Sequence, residues 1–381
     1  MKFKIQRERL VQGISTVERA VSGKDTKDAS SPITGIFIET VDNQLHLVAT
    51  DLEIGVECFI PAEVEEIGKI VLEGRVLSQL ARKLDGEEVR CQLKESGIAL
   101  LECGRARFNL HTLPAGDFPA LPDIEGEQMW KIKQSDLRRM IRQTIFSVSA
   151  DDSKPVLSGV KMEIDGLELH MAATDIYRLA YRHTPLVNEA AGAKAAEIIP
   201  ARALQELLRV LDNEDEALVE FYITRKLAMF RLPGVKVTTR VIDGLFPDYR
   251  RALQFSDSGT KAIKVQRSEL LAAVERAALI TSRRGMSLVK LALDAGEKLL
   301  SVYAQEAEVG QVNEDIPVQG DLDESPEPVE ATYQTYYLMD VLRYLDSDEV
   351  ALDIGDGRRQ GIIRPVGDDN YIYVLMPVRV G

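Results

Sequence analysis

"RKLDGEEVRCQL", Arg82 to Leu93, is written twice more in this chain: as "RVLDNEDEALVEF", Arg209 to Phe221, and as "RYLDSDEVALDI", Arg343 to Ile354. Each copy runs from a basic residue through leucine and aspartate into an acidic turn and an alternating strand. The three leucines, Leu84, Leu211 and Leu345, stand 127 and 134 residues apart. Ahead of each lies one apolar helix face at i, i+3, i+4, i+7. Its members are Leu77, Leu80, Ala81, Leu84; Leu204, Leu207, Leu208, Leu211; and Leu338, Val341, Leu342, Leu345. The Asp-Gly, Asp-Asn and Asp-Ser steps that follow are ordinary helix stops.

A second helix recurs at the same period. Its face is Leu10, Gly13, Ile14, Val17; Leu137, Met140, Ile141, Thr144; and Leu270, Ala273, Val274, Ala277. Strand-like leads "FKIQ", "WKIK" and "IKVQ" precede the three copies. "QLHLVATDLEIGVE" (Gln44 to Glu57) parallels "ELHMAATDIYRLAY" (Glu168 to Tyr181), and "LSVYAQEAEVGQV" (Leu300 to Val312) is a looser third copy. The chain is therefore three copies of one domain-sized unit, too long for a solenoid repeat. Each copy holds two helices and several strands joined by short turns, which predicts an α+β fold with mostly antiparallel sheets. Polar, turn-rich stretches at 121–128 and 254–261 set the expected domains at 1–124, 125–256 and 257–381.

The chain has 381 residues, and 45% are hydrophobic, enough for several cores. No run of about 20 apolar residues is present to span a membrane, and the start lacks a signal peptide's apolar stretch. Three cysteines without metal spacing, Cys58, Cys91 and Cys103, point to a reducing cytoplasm. The net charge of -14 argues, by itself, against tight DNA binding. Yet the six helix registers together sum to +7. Their basic residues either form a solvated face or share one surface toward a polyanion.

Catalytic signals are missing. His46 and His170 occupy equivalent strand positions, His111 and His183 read as surface or strand-end residues, and the four are not expected to gather. Asp51 and Asp175 of the two "ATD" copies read as turn formers in different domains. "GDGRRQG" (Gly355 to Gly361) lacks the Gly-Lys-Ser/Thr ending of a phosphate loop and reads as a hairpin turn. The acidic "DLDESPEPVE" (Asp321 to Glu330) reads as an exposed loop. No cofactor, metal or catalytic residue is expected.

Longer stretches carry a family resemblance. "VSADDSKPVLSGV", "ATDIYRLAY", "DGLFPDYRRAL" and the terminal "YVLMPVRVG", together with "ATDLEIGVE" and "RFNLHTLPAGDFP", resemble the bacterial sliding clamp, the beta subunit of DNA polymerase III, from Met1 to Gly381. The resemblance implies three domains of DNA-clamp type, each with two helices and antiparallel sheets, forming a ring as a head-to-tail homodimer. Helices would line the hole around double-stranded DNA held without sequence preference. Six helices about 10 Å apart close a hole too small for a duplex about 20 Å across. Twelve leave a hole of roughly 28 Å, so two chains are the smallest ring that works. No helix offers the side chains expected of base readout.

The resemblance also assigns residues. Arg75, Arg82, Lys83, Arg138, Arg139, Arg142, Arg202 and Arg209 of the basic helices would face DNA. Phe108 and Leu110 on an edge strand would meet Leu279 and Ile280 on a helix of the second copy, where ordinary core packing is the competing reading. A peptide pocket would take Leu157, Thr174, Tyr177, Arg178 and Leu179, then Pro247 and Arg251, then Val374, Leu375, Met376, Pro377, Val378 and Arg379. Arg178, Arg251 and Arg379 would bond the peptide's polar groups. Ile176 stands where many relatives have glycine, and Tyr177 where many have histidine. Expected peptide ligands carry a glutamine and two bulky apolar anchors. They would come from the replicative polymerase, an ATP-driven clamp loader, repair polymerases, ligase and mismatch-repair proteins. The alternative is an enzyme or regulator built on the same repeat, with its site between domains.

Overall fold

A computed structural model describes residues 1–22, 31–124, 128–151, 153–188, 194–212, 217–254, 262–281, 286–320 and 329–379. Both expected domain boundaries, and most of the 321–330 stretch, lie outside the described residues. Val329 and Glu330 belong to a strand, Val329–Gln334, so the expected loop stops short of them.

Seven α-helices occur among the described residues: α1 (Arg7–Val17), α2 (Gly74–Lys83), α3 (Gln134–Thr144), α4 (Ala201–Val210), α5 (Tyr249–Gln254), α6 (Arg267–Thr281) and α7 (Thr335–Tyr344). Six are the repeated pairs. The sequence reading had no place for α5, since six residues are too few for a helical period to register. Each of the six grows directly out of a strand; α1, for example, follows Lys2–Gln6 without a break. Apolar stripes of these helices pack inward: Leu10, Ile14, Leu77, Leu137, Ile141, Leu204, Leu270, Val274, Leu338 and Leu342 are all buried. At Gly13 a Cβ would lie 2.6 Å from Leu47 and 2.8 Å from Ile60, so glycine lets α1 sit close on its sheet.

The recurring Leu-Asp step ends the second helix of each pair, and the first helix holds that end. In the first copy the Arg7 guanidinium donates to the Leu84 carbonyl at 3.1 Å. In the third, Arg267 donates to Leu342 O at 2.9 Å and to Ser347 O at 2.7 Å. In the second, glutamine takes the position: Gln134 Oε1 accepts from the Asp212 N–H at 2.8 Å, and Arg138 donates to Leu208 O and Leu211 O, both at 2.9 Å. A backbone bond repeats beside each clasp, from the N–H of Arg7, Gln134 and Arg267 to the carbonyls of Glu87, Ala217 and Asp348. These donors satisfy carbonyls that a helix end otherwise leaves open. The helices stop slightly earlier than the Asp-Gly type signal suggested: Leu84 and Leu345 are already extended, with ψ near 140°.

Chain contacts divide the molecule into two compact units that cut across the three repeats. One is mainly Met1–Arg138 and Arg202–Ile242; the other is mainly Arg139–Pro185 and Asp243–Gly381. The first unit holds a five-stranded and an eight-stranded sheet, the second an eight-stranded and a four-stranded sheet, and all pairings are antiparallel. Each eight-stranded sheet is two half-sheets from successive repeats. Val235–Arg240 joins Ile54–Pro61 in the first unit, and Tyr371–Leu375 joins Arg178–Pro185 in the second. The equivalent strands Ala106–His111 and Gly310–Pro317 are each left on the edge of their own sheet.

Among the described residues no helix is long and apolar enough to cross a membrane. Burial pushes the thiols of Cys58 and Cys91 up to about 12, which keeps both unreactive near neutrality.

Hydrogen bonds from a charged donor contribute about 1.5–3 kcal/mol each. Arg267→Ala, which loses two such bonds, should therefore lower stability by about 3–6 kcal/mol. Urea denaturation read by near-UV circular dichroism should show the loss in the second unit's transition, and an unchanged midpoint would count against the clasp.

Candidate functional site

The turn after each "AT" step is built the same way in both units. Thr50 Oγ1 donates to Ile54 O at 2.8 Å, as Thr174 Oγ1 does to Arg178 O at 2.6 Å. Asp51 Oδ1 accepts from Glu53 N and Ile54 N, as Asp175 Oδ1 does from Tyr177 N and Arg178 N. Both aspartates are thus turn formers. Burial pushes the Asp51 carboxyl up, but the Ile54 N–H and the Arg202 guanidinium outweigh it and hold the group below the usual carboxylate range. Leu52 and Ile176 occupy the tip with φ of 75° and 82°. That left-handed conformation suits glycine and strains a β-branched side chain such as that of Ile176.

The second unit brings several pocket candidates together. Leu179 and Val374 are cross-strand partners and share one apolar cluster with Ile372, Ile362 and Tyr249. Met376 donates its N–H to Tyr177 O at 2.8 Å, and both side chains are exposed. Val378 donates its N–H to Thr332 O at 2.7 Å, laying the tail along the edge strand Val329–Gln334. Thr174, Leu157 and Leu375 are buried, whereas Pro247 and Arg251 are exposed on either side of Tyr249. Val378 and Arg379 instead line a cavity of about 790 Å3 with Lys290, Tyr303 and Arg358.

Arg178 is not free to meet a peptide. It is 8% exposed, and its three guanidinium nitrogens donate to Asp175 Oδ2 (3.0 Å), Asp340 Oδ2 (2.6 Å) and Phe146 O (2.6 Å). Its carbon lies 4.3 Å from the centre of the Tyr337 ring. Sequence reasoning missed these partners because Phe146, Asp340 and Tyr337 come from far along the chain. The residue ties the turn to α7 and thereby positions Tyr177 and Leu179.

The histidines also differ from expectation. His170 and His183 are cross-strand partners with ring centres 5.8 Å apart, and Glu168 reaches His183 at 3.2 Å. The 13-residue separation hid this, because only strand register makes such residues neighbours. Burial depresses the His170 pKa below its ordinary value, with Glu168 acting in the opposite direction. Tyr181 stacks beside both rings and Tyr249 of α5 beside Tyr181, while the Tyr249 hydroxyl donates to Glu163 at 2.8 Å.

The basic helix residues fall into three groups. Arg75 and Lys83 are exposed and have no ion-pair partner among the described residues. Arg82, Arg139, Arg202 and Arg209 are also exposed but pair with Glu18, Asp346, Asp51 and Glu206. Arg138 and Arg142 are half-buried; Arg138 serves the helix clasp and Arg142 lies 5.9 Å from the Tyr344 ring. Arg138 is therefore a structural residue in place of an expected DNA-facing one. Leu279 is 72% exposed on α6, which excludes ordinary core packing for it, while Ile280 is half-buried. Phe108 and Leu110 are half-buried on the edge strand Ala106–His111.

Removing one partner from a buried charge cluster costs about 3–5 kcal/mol because the remaining charges are stranded. Arg178→Met should thus destabilise the second unit by that order and expose Tyr337 to solvent. Differential scanning calorimetry together with tyrosine fluorescence would register it; a variant as stable as the parent would remove Arg178 from this role.

Three models of the DNA polymerase III beta subunit match the chain: the N-terminal domain over residues 1–122, the central domain over 131–248 and the C-terminal domain over 255–379. A beta sliding clamp of Bacillus subtilis is 32% identical over 391 aligned residues, with both chains covered in full. One of Staphylococcus epidermidis is 29% identical, covering 100% of this chain and 99% of that one. Among solved structures, the DNA polymerase sliding clamp of Bacillus subtilis superposes over the full length of both chains with a TM-score of 0.90 at 30% identity. That of Pseudomonas aeruginosa does so with 0.88 at 27%. With a relative this similar along its whole length and its three repeats each matched by a successive domain model, the chain belongs to the family of DNA polymerase III beta subunits, the beta sliding clamps.

Proposed function

We propose that two copies of this chain close head to tail into a ring around duplex DNA and hold the replicative polymerase to it, without catalysis of their own. The observation that carries this reading is the full-length likeness to sliding clamps. It disfavours the alternative of an enzyme or regulator built on the same repeat. The three clamp domains are taken as 1–124, 125–256 and 257–381, and the protein works in the cytoplasm.

Strand pairing supports the ring. The last strand of the second repeat joins the first repeat's sheet, and the last strand of the third joins the second's. By the same rule the last strand of the first repeat, Ala106–His111, seeks the strand equivalent to Ile54–Pro61 in the third, which is Gly310–Pro317. Both are free edges, and an unpaired edge is a template for another chain. A heterologous contact between two copies closes if the rotation allows it. Phe108 and Leu110 would then face Leu279 and Ile280. Counter-ion release would give weak, sequence-independent attraction between DNA and exposed Arg75, Lys83 and the partly neutralised arginines. Topology, not affinity, retains the clamp. Around Leu179, Val374 and Met376, with Pro247 and Arg251 beside them, short peptides from the polymerase, an ATP-driven loader and repair proteins would dock. Arg178 supports that pocket from behind.

Loaded protein should survive a high-salt wash on nicked circular DNA and be lost once the circle is cut. Equal loss from circular and linear DNA after confirmed loading would sink the encircling model. The double variant Leu279→Asp, Ile280→Asp should run as a soluble 42.4 kDa monomer in light scattering. A persistent dimer would place the interface elsewhere.

A further inference from the structure

The turn that shapes the proposed peptide pocket has a twin in the first unit, and a cavity lies beside it. Thr50, Glu53, Ile54 and Gly55 stand 124 residues before Thr174, Tyr177, Arg178 and Leu179. Arg240 donates its N–H to Glu53 O at 2.9 Å, as Met376 does to Tyr177 O at 2.8 Å. Thr238, Thr239 and Arg240 are therefore the counterparts of Val374, Leu375 and Met376. "FPALPD" (Phe118 to Asp123) answers "FPDYRR" (Phe246 to Arg251), so Pro119 corresponds to Pro247. A cavity of about 300 Å3 is lined by these counterparts, with Leu52, Leu121, Lys226 and Leu227 completing it.

Its chemistry differs from that of its twin. Glycine replaces Leu179 at Gly55, and Leu121 fills the space: a Cβ on Gly55 would lie 2.3 Å from a Leu121 methyl. Threonine replaces Val374 at Thr238. That residue is 2% exposed, and its hydroxyl is buried without a hydrogen-bond partner. A buried hydroxyl left unpaired is costly, and this one lines a cavity that a ligand could enter. Arginine replaces Met376 at Arg240, and Lys226 is a second exposed cation in the lining, against one carboxylate, Glu53. Two cations outweigh one anion in a chain of net charge -14. Leu52, 55% exposed at the tip of the turn, and half-buried Leu227 supply apolar contact.

We propose that this cavity is a second docking site, for a linear acidic segment of a partner protein that carries one bulky apolar anchor. The anchor packs against Leu52 and Leu227, carboxylates meet Lys226 and Arg240, and the Thr238 hydroxyl donates to a peptide carbonyl. The peptide class, though not the site, rests on reading the second unit's pocket as peptide-binding. Since Leu121 occupies part of the space, a single anchor fits where the twin takes two.

The test is methyl NMR on the full chain, labelled at leucine and threonine. The probes are acetyl-Glu-Leu-Glu-amide and its neutral counterpart acetyl-Gln-Leu-Gln-amide. The acidic peptide should give saturable shifts at Leu52, Leu121, Leu227 and Thr238 at millimolar concentration or below. They should persist when Met376 to Gly381 are deleted. The neutral peptide should bind about tenfold more weakly. Lys226→Glu with Arg240→Glu, both exposed changes, should remove the response to the acidic probe. No shift at these methyls, shifts confined to Leu179 and Leu375, or equal binding of both probes would each overturn the proposal. A separate titration with a glutamine peptide bearing leucine and phenylalanine anchors reads the second unit's pocket. Its failure there would reject that pocket and leave the first-unit result standing.

Discussion

A helix end must give its last carbonyls to some donor, and this chain meets that demand three times from the start of the neighbouring helix. Arg7, Gln134 with Arg138, and Arg267 each close the end of a partner helix, the first two at or beside the leucine of the Leu-Asp step and Arg267 at Leu342 and Ser347 on either side of it. The clasp fixes where the second helix stops, so the next strand leaves at a set point: Glu88–Leu93, Leu218–Ile223 and Glu349–Asp353 follow. Those strands then pair with the strands that lead into the first helices. One local requirement therefore couples both helices to the sheet of each repeat. It also explains why the motif survives as pattern while its residues vary. Glutamine can replace arginine in the second copy because Arg138, one turn along, supplies the lost donors.

The repeat, its six helices and its antiparallel strands were legible because period and spacing are properties of the chain itself. Leu77, Leu207 and Leu338 sit on apolar stripes that need no partner to be recognised. What the sequence could not display were contacts set by register and by distant segments. Arg178 reads as an exposed cation beside a turn until Asp340 and Phe146 are brought to it. Arg138 reads like Arg139, though one residue of rotation on α3 sends the first to a helix end and the second to an ion pair at the surface. Helix α5 carries Tyr249 to the sheet, and its signal was only one aromatic residue after a proline. The run "YIYVL" did hold a usable clue: five consecutive apolar or aromatic residues mark a strand covered on both faces, and all five are buried.

Charge pairing refines the view of the basic helices. Arg82, Arg139, Arg202 and Arg209 already have carboxylate neighbours. Of these pairs only Arg139 with Asp346 is exposed on both sides, a kind of pair worth about 0–1 kcal/mol that a phosphate can displace at little cost; Glu18, Asp51 and Glu206 are largely buried and hold their arginines more firmly. In the proposed ring, exposed cations that are already partly neutralised would attract a polyanion more weakly than a row of unpaired cations, which suits motion along a duplex.

The shared sheets bear on how the chain is made. In the first unit, Ile54–Pro61 pairs with Gln44–Thr50 on one side but gains its second neighbour only when Val235–Arg240 is in place. A ribosome must therefore complete nearly all of the second repeat while that strand's edge stays open. At about 5–20 residues per second the interval is on the order of ten seconds or more, long for a bare β edge in a crowded cell. Nascent chains of this protein thus pass through a period in which their own half-built sheet is the surface most in need of shelter.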